Sequence, residues 1–143
     1  MKITDLYSRA IRQGCEIDWF PMRATKALSL PDNSIALNPS MIEGETDEKT
    51  TLAHELGHCV TGSFYSIHTP LETRARCEFH ADKRAIEMLI PLDELRECFR
   101  AGCQTVYEVA QYFDVSEPLV EKAMELYEER IMEWKREAVR GRP

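Results

Sequence analysis

The chain has 143 residues and a net charge of −7, from 25 acidic and 18 basic side chains. That length suits one domain with a core of its own, and a composition 43% apolar and 30% charged rules out a disordered chain. No apolar run approaches the ~20 residues that span a bilayer, and the acidity opposes a phosphate backbone unless cations gather on one face.

The basic residues thicken near the end, in Lys135-Arg136 and Arg140-Gly141-Arg142. Glu133 and Glu137 dilute them, so this stretch reads as a solvated helix end. The first residues, Met1-Lys2-Ile3-Thr4-Asp5, lack the basic-then-apolar layout of a signal peptide. The expected location is the cytoplasm. Cys15, Cys59, Cys77, Cys98 and Cys103 are odd in number and lack CxxC spacing, which predicts reduced, mostly buried thiols.

In chain order, Ile3, Leu6, Tyr7, Ala10 and Ile11 have helical spacing, closed by Gly14. Residues 16–20 alternate as a short strand. Residues 27–30 and 34–37 flank Pro31-Asp32-Asn33 and predict a hairpin. Asn38-Pro39 ends it, and the polar residues 43–49, with Gly44, predict a loop. Thr46 or Asp47 would then cap a helix running to about Gly62.

Further helices are expected over 71–89, 91–101 and 104–113, and a last one opens at Ser116 with Pro118 in its first turn. Along it, Val120, Met124, Tyr127, Ile131, Trp134 and Ala138 form an apolar seam suited to a neighbouring helix or a second copy of the chain. The expected fold is α+β, a small N-terminal antiparallel sheet packed on a mostly helical body. It is expected to form one domain over 1–143, with the main core in 1–101 and a helical subdomain in 104–143.

Residues 54–58 read His54-Glu55-Leu56-Gly57-His58, the HExxH pattern. Residues i and i+4 stand one above the other on a helix, so both imidazoles can reach one ion. Glu55, beside the first ligand, is free to take a proton from a metal-activated water. A catalytic zinc needs a third protein ligand. Glu78, on the following helix beyond a loop from Ser63 to Pro70, is the leading candidate; Glu72, His68 and His80 compete with it. Asp82, four residues after Glu78, shares its helix face and suits the free N–H of a ligand histidine. Ala81 and Ala85 would let the two helices approach. Cys59 and Cys77 adjoin candidate ligands, but a helical neighbour points about 100° away, so neither is expected to coordinate.

The stretch from Leu52 to Pro91 resembles the ImmA/IrrE metallopeptidases, whose zinc site is similar to that of the gluzincins. The matching residues are Ala53 to His58, then Glu78, Ala81, Asp82 and Ala85, then Glu87-Met88-Leu89-Ile90-Pro91. Arg84 stands where the family usually has an aromatic. Val115-Ser116 matches more weakly. The resemblance implies His54, His58 and Glu78 as zinc ligands and Glu55 as general base. It also implies cleavage of a helix-turn-helix repressor, releasing transcription of a mobile element or stress operon. The small size is closer to the ImmA type.

Tyr65 and His68, in the loop after the motif, are the nearest candidates for an oxyanion donor. The strand Ser34–Leu37 is a candidate for pairing with an extended substrate. Two other functions compete: a zinc-bearing scaffold that binds a regulator without cutting it, and a DNA-binding unit in residues 105–129. Residues 104–129 hold one basic side chain, Lys122, against Glu108, Asp114, Glu117, Glu121, Glu125, Glu128 and Glu129, which disfavours DNA. The expected partner is a protein substrate, with no nucleic acid or membrane, and with monomer and dimer both open.

Overall fold

The computed structural model describes residues 1–141; Arg142, the last cation of the C-terminal basic stretch, and Pro143 lie outside it. Helix α1 (Ile3–Arg12) buries Leu6 and Ala10 and carries Asp5 in its first turn and Arg9 and Arg12 in its last, the charge order that suits a helix dipole. Strands β1 (Glu16–Trp19), β2 (Ala27–Ser29) and β3 (Ser34–Leu37) form one sheet in the order β1-β3-β2.

The β2–β3 hairpin is antiparallel, as expected, with Ala27 opposite Leu37 and Ser29 opposite Ile35. Asn33 takes a left-handed conformation (φ 68°) in the turn, and the Ser34 N–H donates to the Asp32 carboxylate at 3.0 Å. The sheet as a whole is mixed rather than antiparallel, because β1 runs parallel to β3. The connection over residues 20–26 crosses the end of the sheet and leaves one strand position free, which β3 fills. Asn38, fully buried just after β3, holds that connection in place. Its amide donates to the carbonyls of Met22 and Thr25 at 2.8 and 2.9 Å.

Helix α2 (Gly44–Thr61) begins where a loop was expected. Polarity in residues 43–49 reflects tertiary partners rather than irregular backbone. Asp47 accepts the Glu43 N–H at 2.9 Å and pairs with Lys26 at 2.9 Å, so it braces the helix start without being its cap; Glu43 holds that position. Tyr7 donates to Glu48 at 2.8 Å. Lys49 is buried and donates to the carbonyls of Met1 and Phe113 at 2.9 and 3.0 Å. Gly62, left-handed at φ 67°, closes the helix, as glycine does at little cost.

Helices α3 (Leu71–Leu89), α4 (Leu92–Arg100) and α5 (Val106–Phe113) follow. Thr105 caps α5 by accepting the Glu108 N–H at 3.1 Å. The long C-terminal helix expected from Ser116 is two helices, α6 (Glu117–Leu126) and α7 (Glu128–Arg140). They meet at Tyr127, whose backbone is non-helical (φ −98°, ψ 10°). Its hydroxyl is tied to the Ile90 carbonyl at 3.0 Å, at the end of α3. The first part of the seam is buried at Val120, whereas α7 has no buried residue.

One core joins the sheet to the helices, with Leu6, Ile35, Leu37, Leu52, Leu56, Ile86, Leu89 and Leu95 among its residues. All five cysteines are free, and Cys15, Cys77 and Cys98 are buried. Among the described residues, no helix is long and apolar enough to cross a membrane.

Candidate metal centre

Helices α2 and α3 form an antiparallel hairpin, with His54 beside Asp82 and His58 beside Glu78. Gly57 sets their separation. A Cβ placed on it would stand 2.5 Å from the Ala81 carbonyl oxygen and 3.0 Å from the Ala81 Cα. The variable position inside HExxH therefore needs glycine here, opposite an alanine expected to be small. That close approach lets Glu78 reach both imidazoles and Asp82 reach His54.

His54 Nε2 lies 2.9 Å from Glu78 Oε2, and His58 Nε2 lies 3.2 Å from Glu78 Oε1. The two imidazole rings stand edge to face, 4.8 Å between centroids. On their far sides, His54 Nδ1 meets Asp82 Oδ1 at 2.8 Å and His58 Nδ1 meets the Ser63 carbonyl at 2.5 Å. Both of those partners are acceptors, so each Nδ1 carries the hydrogen and donates it. In the neutral rings each Nε2 then presents a lone pair to a carboxylate oxygen.

Four acceptor atoms thus converge, and acceptors facing one another repel unless a cation lies between them. Without a metal the cation is a proton. The largest influence on His54, burial, disfavours its charged form; the Asp82 hydrogen bond and the charges of Glu55, Asp82 and Glu78 outweigh it and raise its pKa. With a metal, the set offers two imidazole nitrogens and a carboxylate, all within 4.8 Å of one another. Ligands ~2.1 Å from one ion at tetrahedral angles would stand roughly 3.4 Å apart, close to the separations between the Nε2 atoms and Glu78. The donor set fits a metal ion.

Of the other candidate ligands, Glu72, His68 and His80 are exposed and stand outside this group. Cys59 and Cys77 also stand outside it; burial pushes the Cys59 thiol up to about 12, and Cys77 donates to the Phe64 carbonyl at 3.7 Å.

Asp82 is held from two sides, since Lys122 Nζ on α6 donates to its Oδ2 at 2.9 Å. Burial, the largest influence on Asp82, raises its pKa, but the hydrogen bonds from His54 and Lys122 and their charges bring it below the usual value. The sequence offered one signal for Lys122, a single cation in an acidic stretch, but nothing local says where it points.

Beside the centre lies a cleft of about 210 Å³ lined by Glu55, His58, Ser63, Phe64, Tyr65 and Glu78 on one side and Thr25, Ala27, Leu28 and Ser29 on the other. Glu55 is buried but opens into it. Tyr65 donates to Glu78 Oε1 at 2.9 Å, whereas His68 does not line the cleft. The strand at the cleft is β2, an edge strand. Ser34–Leu37, expected as the substrate-pairing strand, is the central strand. Its two edges are filled by β1 and β2, so it has no free edge to offer.

The Peptidase_M78 family, described as the IrrE N-terminal-like domain, matches residues 19–125. The chain belongs to that family. The match runs from the end of β1 nearly to the end of α6 and includes His54, Glu55, His58, Glu78, Asp82 and Lys122. It is a peptidase family, and among the described residues His54, His58 and Glu78 form a group that could hold a metal ion. Arg84, where an aromatic was expected, is exposed, so the departure falls on the surface of α3. No curated protein matches the chain.

Proposed function

We propose that this protein is a zinc-dependent endopeptidase whose substrate is a helix-turn-helix repressor, so that cleavage releases transcription. The carrying observation is the convergence of two Nε2 atoms and one carboxylate beside a cleft that runs along a sheet edge. Two imidazoles and a carboxylate suit zinc. His54, His58 and Glu78 would hold it, and it would supply Lewis acidity and an acidified water.

The chain's own residues do the rest. The edge of β2 takes an extended substrate segment as an added strand, which lays a peptide bond across the cleft and leaves both of its ends free. Glu55 takes the proton from the attacking water and gives it to the leaving nitrogen. Asp82 and the Ser63 carbonyl hold the imidazoles in the tautomer that points Nε2 inward. Tyr65 gives up its bond to Glu78 and donates to the developing oxyanion. The choice of a repressor rests on the family resemblance.

The pairing of α5 and α6 has helix-turn-helix form, but the turns of α6 carry Glu117, Glu121 and Glu125, and Lys122 is already held by Asp82. That favours a packed helical unit over a DNA reader. The test is a map of new protein N-termini in cells expressing the wild type or Glu55→Gln. New termini inside a helix-turn-helix repressor, absent with Glu55→Gln, are the expected result. A repressor inactivated equally by both forms, with no new terminus, would replace proteolysis by the scaffold reading.

A further inference from the structure

We infer that Lys122 is a positioning residue of the metal centre, which makes α6 a working part of that centre. The inference rests on the metal reading above. A relay of three contacts carries it. Lys122 Nζ holds Asp82 Oδ2 at 2.9 Å, Asp82 Oδ1 holds His54 Nδ1 at 2.8 Å, and His54 Nε2 faces Glu78 Oε2 at 2.9 Å. Both Asp82 oxygens are therefore engaged, one by α2 and one by α6, and the carboxylate plane is held against rotation. With Lys122 absent, Oδ2 has no partner in the protein. Asp82 can then turn toward solvent, and His54 loses the acceptor that selects its tautomer and ring angle.

The local charge explains why a cation stands there. Glu55, Glu78 and Asp82 bring three negative charges to the pair of imidazoles. A dication would leave one of them unbalanced, and Lys122 supplies the missing positive charge from a helix 40 residues away in sequence. Its side chain is 54% exposed and that of Asp82 is 18% exposed. The contact is thus too solvated to add much to folding, while the carboxylate it steers is sheltered. A contact with little value for stability but a fixed geometry at the ligand's partner is what a positioning role requires. Removing a cation also favours metal binding by simple Coulomb attraction. Water and salt screen that effect at an exposed ammonium, so the loss of orientation dominates.

The test uses the full chain as wild type, Lys122→Met and Lys122→Arg. Zinc affinity is measured by competition with a chromophoric chelator, and the ligand field by the visible spectrum of the cobalt(II) form. Direct partners of ligand histidines typically contribute 10–100-fold to metal affinity, and Lys122 acts through one of them, so Lys122→Met should bind zinc several-fold to about tenfold more weakly, with a changed cobalt spectrum. Lys122→Arg should restore both. Metal-free melting temperatures of the three should agree within about 3 °C. Equal or tighter zinc binding by Lys122→Met would overturn the inference. So would a fall in its metal-free melting temperature at unchanged affinity, which would make the contact a strut between α3 and α6. A wild type that takes up no metal would overturn the metal reading and this inference together.

Discussion

The α2–α3 hairpin and the α4–α7 assembly solve the problem of joining helices in opposite ways. In the first, Gly57 meets Ala81 and the backbones nearly touch. A cleft of about 210 Å³ lies on the Glu55 side of the centre, and a second space of about 640 Å³ between α3 and α6 reaches Glu78, Asp82 and Lys122. In the second, large side chains bridge a wide gap. Phe99 and Trp134 meet edge to face with centroids 6.1 Å apart, the Arg96 guanidinium lies 5.6 Å over the indole, and an open groove of about 790 Å³ runs between the helices. That groove, the largest of the three, is lined by none of His54, Glu55, His58 and Glu78. Catalytic geometry depends on short, rigid reach, so close approach marks the site better than volume does.

The comparison can be broken first at Glu55. Glu55→Gln removes a proton acceptor without touching the packing, and a general base typically contributes 10²–10⁴-fold. Turnover of a cleaved substrate should fall by about that factor, with zinc content unchanged by elemental analysis. Zinc lost along with turnover would mean that Glu55 holds the centre together instead.

Gly57→Ala attacks the close approach directly. The new methyl meets backbone, which cannot swing aside as a side chain can, and overpacking of this kind costs about 1–3 kcal/mol or more. Thermal unfolding should show that loss, and zinc affinity should fall with it because His54 and His58 move away from Glu78. A variant of wild-type stability and affinity would show that the helices can separate without cost.

Lys49→Met tests the other end of α2, away from the candidate metal centre. It leaves the Met1 and Phe113 carbonyls without their buried donor, a loss on the order of 2 kcal/mol for bonds to a charged group. Chemical denaturation should report it while zinc affinity stays at the wild-type value. The smallest effect is expected in the open groove. Trp134 is only half-buried, so Trp134→Ala should cost about 1–2 kcal/mol, well under the 3–5 kcal/mol of a fully buried aromatic, with turnover unaffected. A cost at the fully buried level would show the groove to be as tightly packed as the hairpin.

Local spacing made much of this protein readable from its sequence. Two histidines four apart, and Glu78 and Asp82 four apart, each specify one helix face, because helix geometry repeats whatever the surroundings. The hairpin turn at Pro31-Asp32-Asn33 was legible from its turn-forming residues, whereas the cap at Thr105 was seen only in the structure. Tertiary structure decided the rest. It put β3 between β1 and β2 and so moved the free edge from Ser34–Leu37 to Ala27–Ser29. It turned the polar residues 43–49 into helix by giving Glu48 and Lys49 distant partners. It broke the C-terminal helix at Tyr127, set Gly57 against Ala81, and brought Lys122 to Asp82. Each of these joins residues far apart along the chain, where no periodicity links them and only the packed core determines which side chains meet.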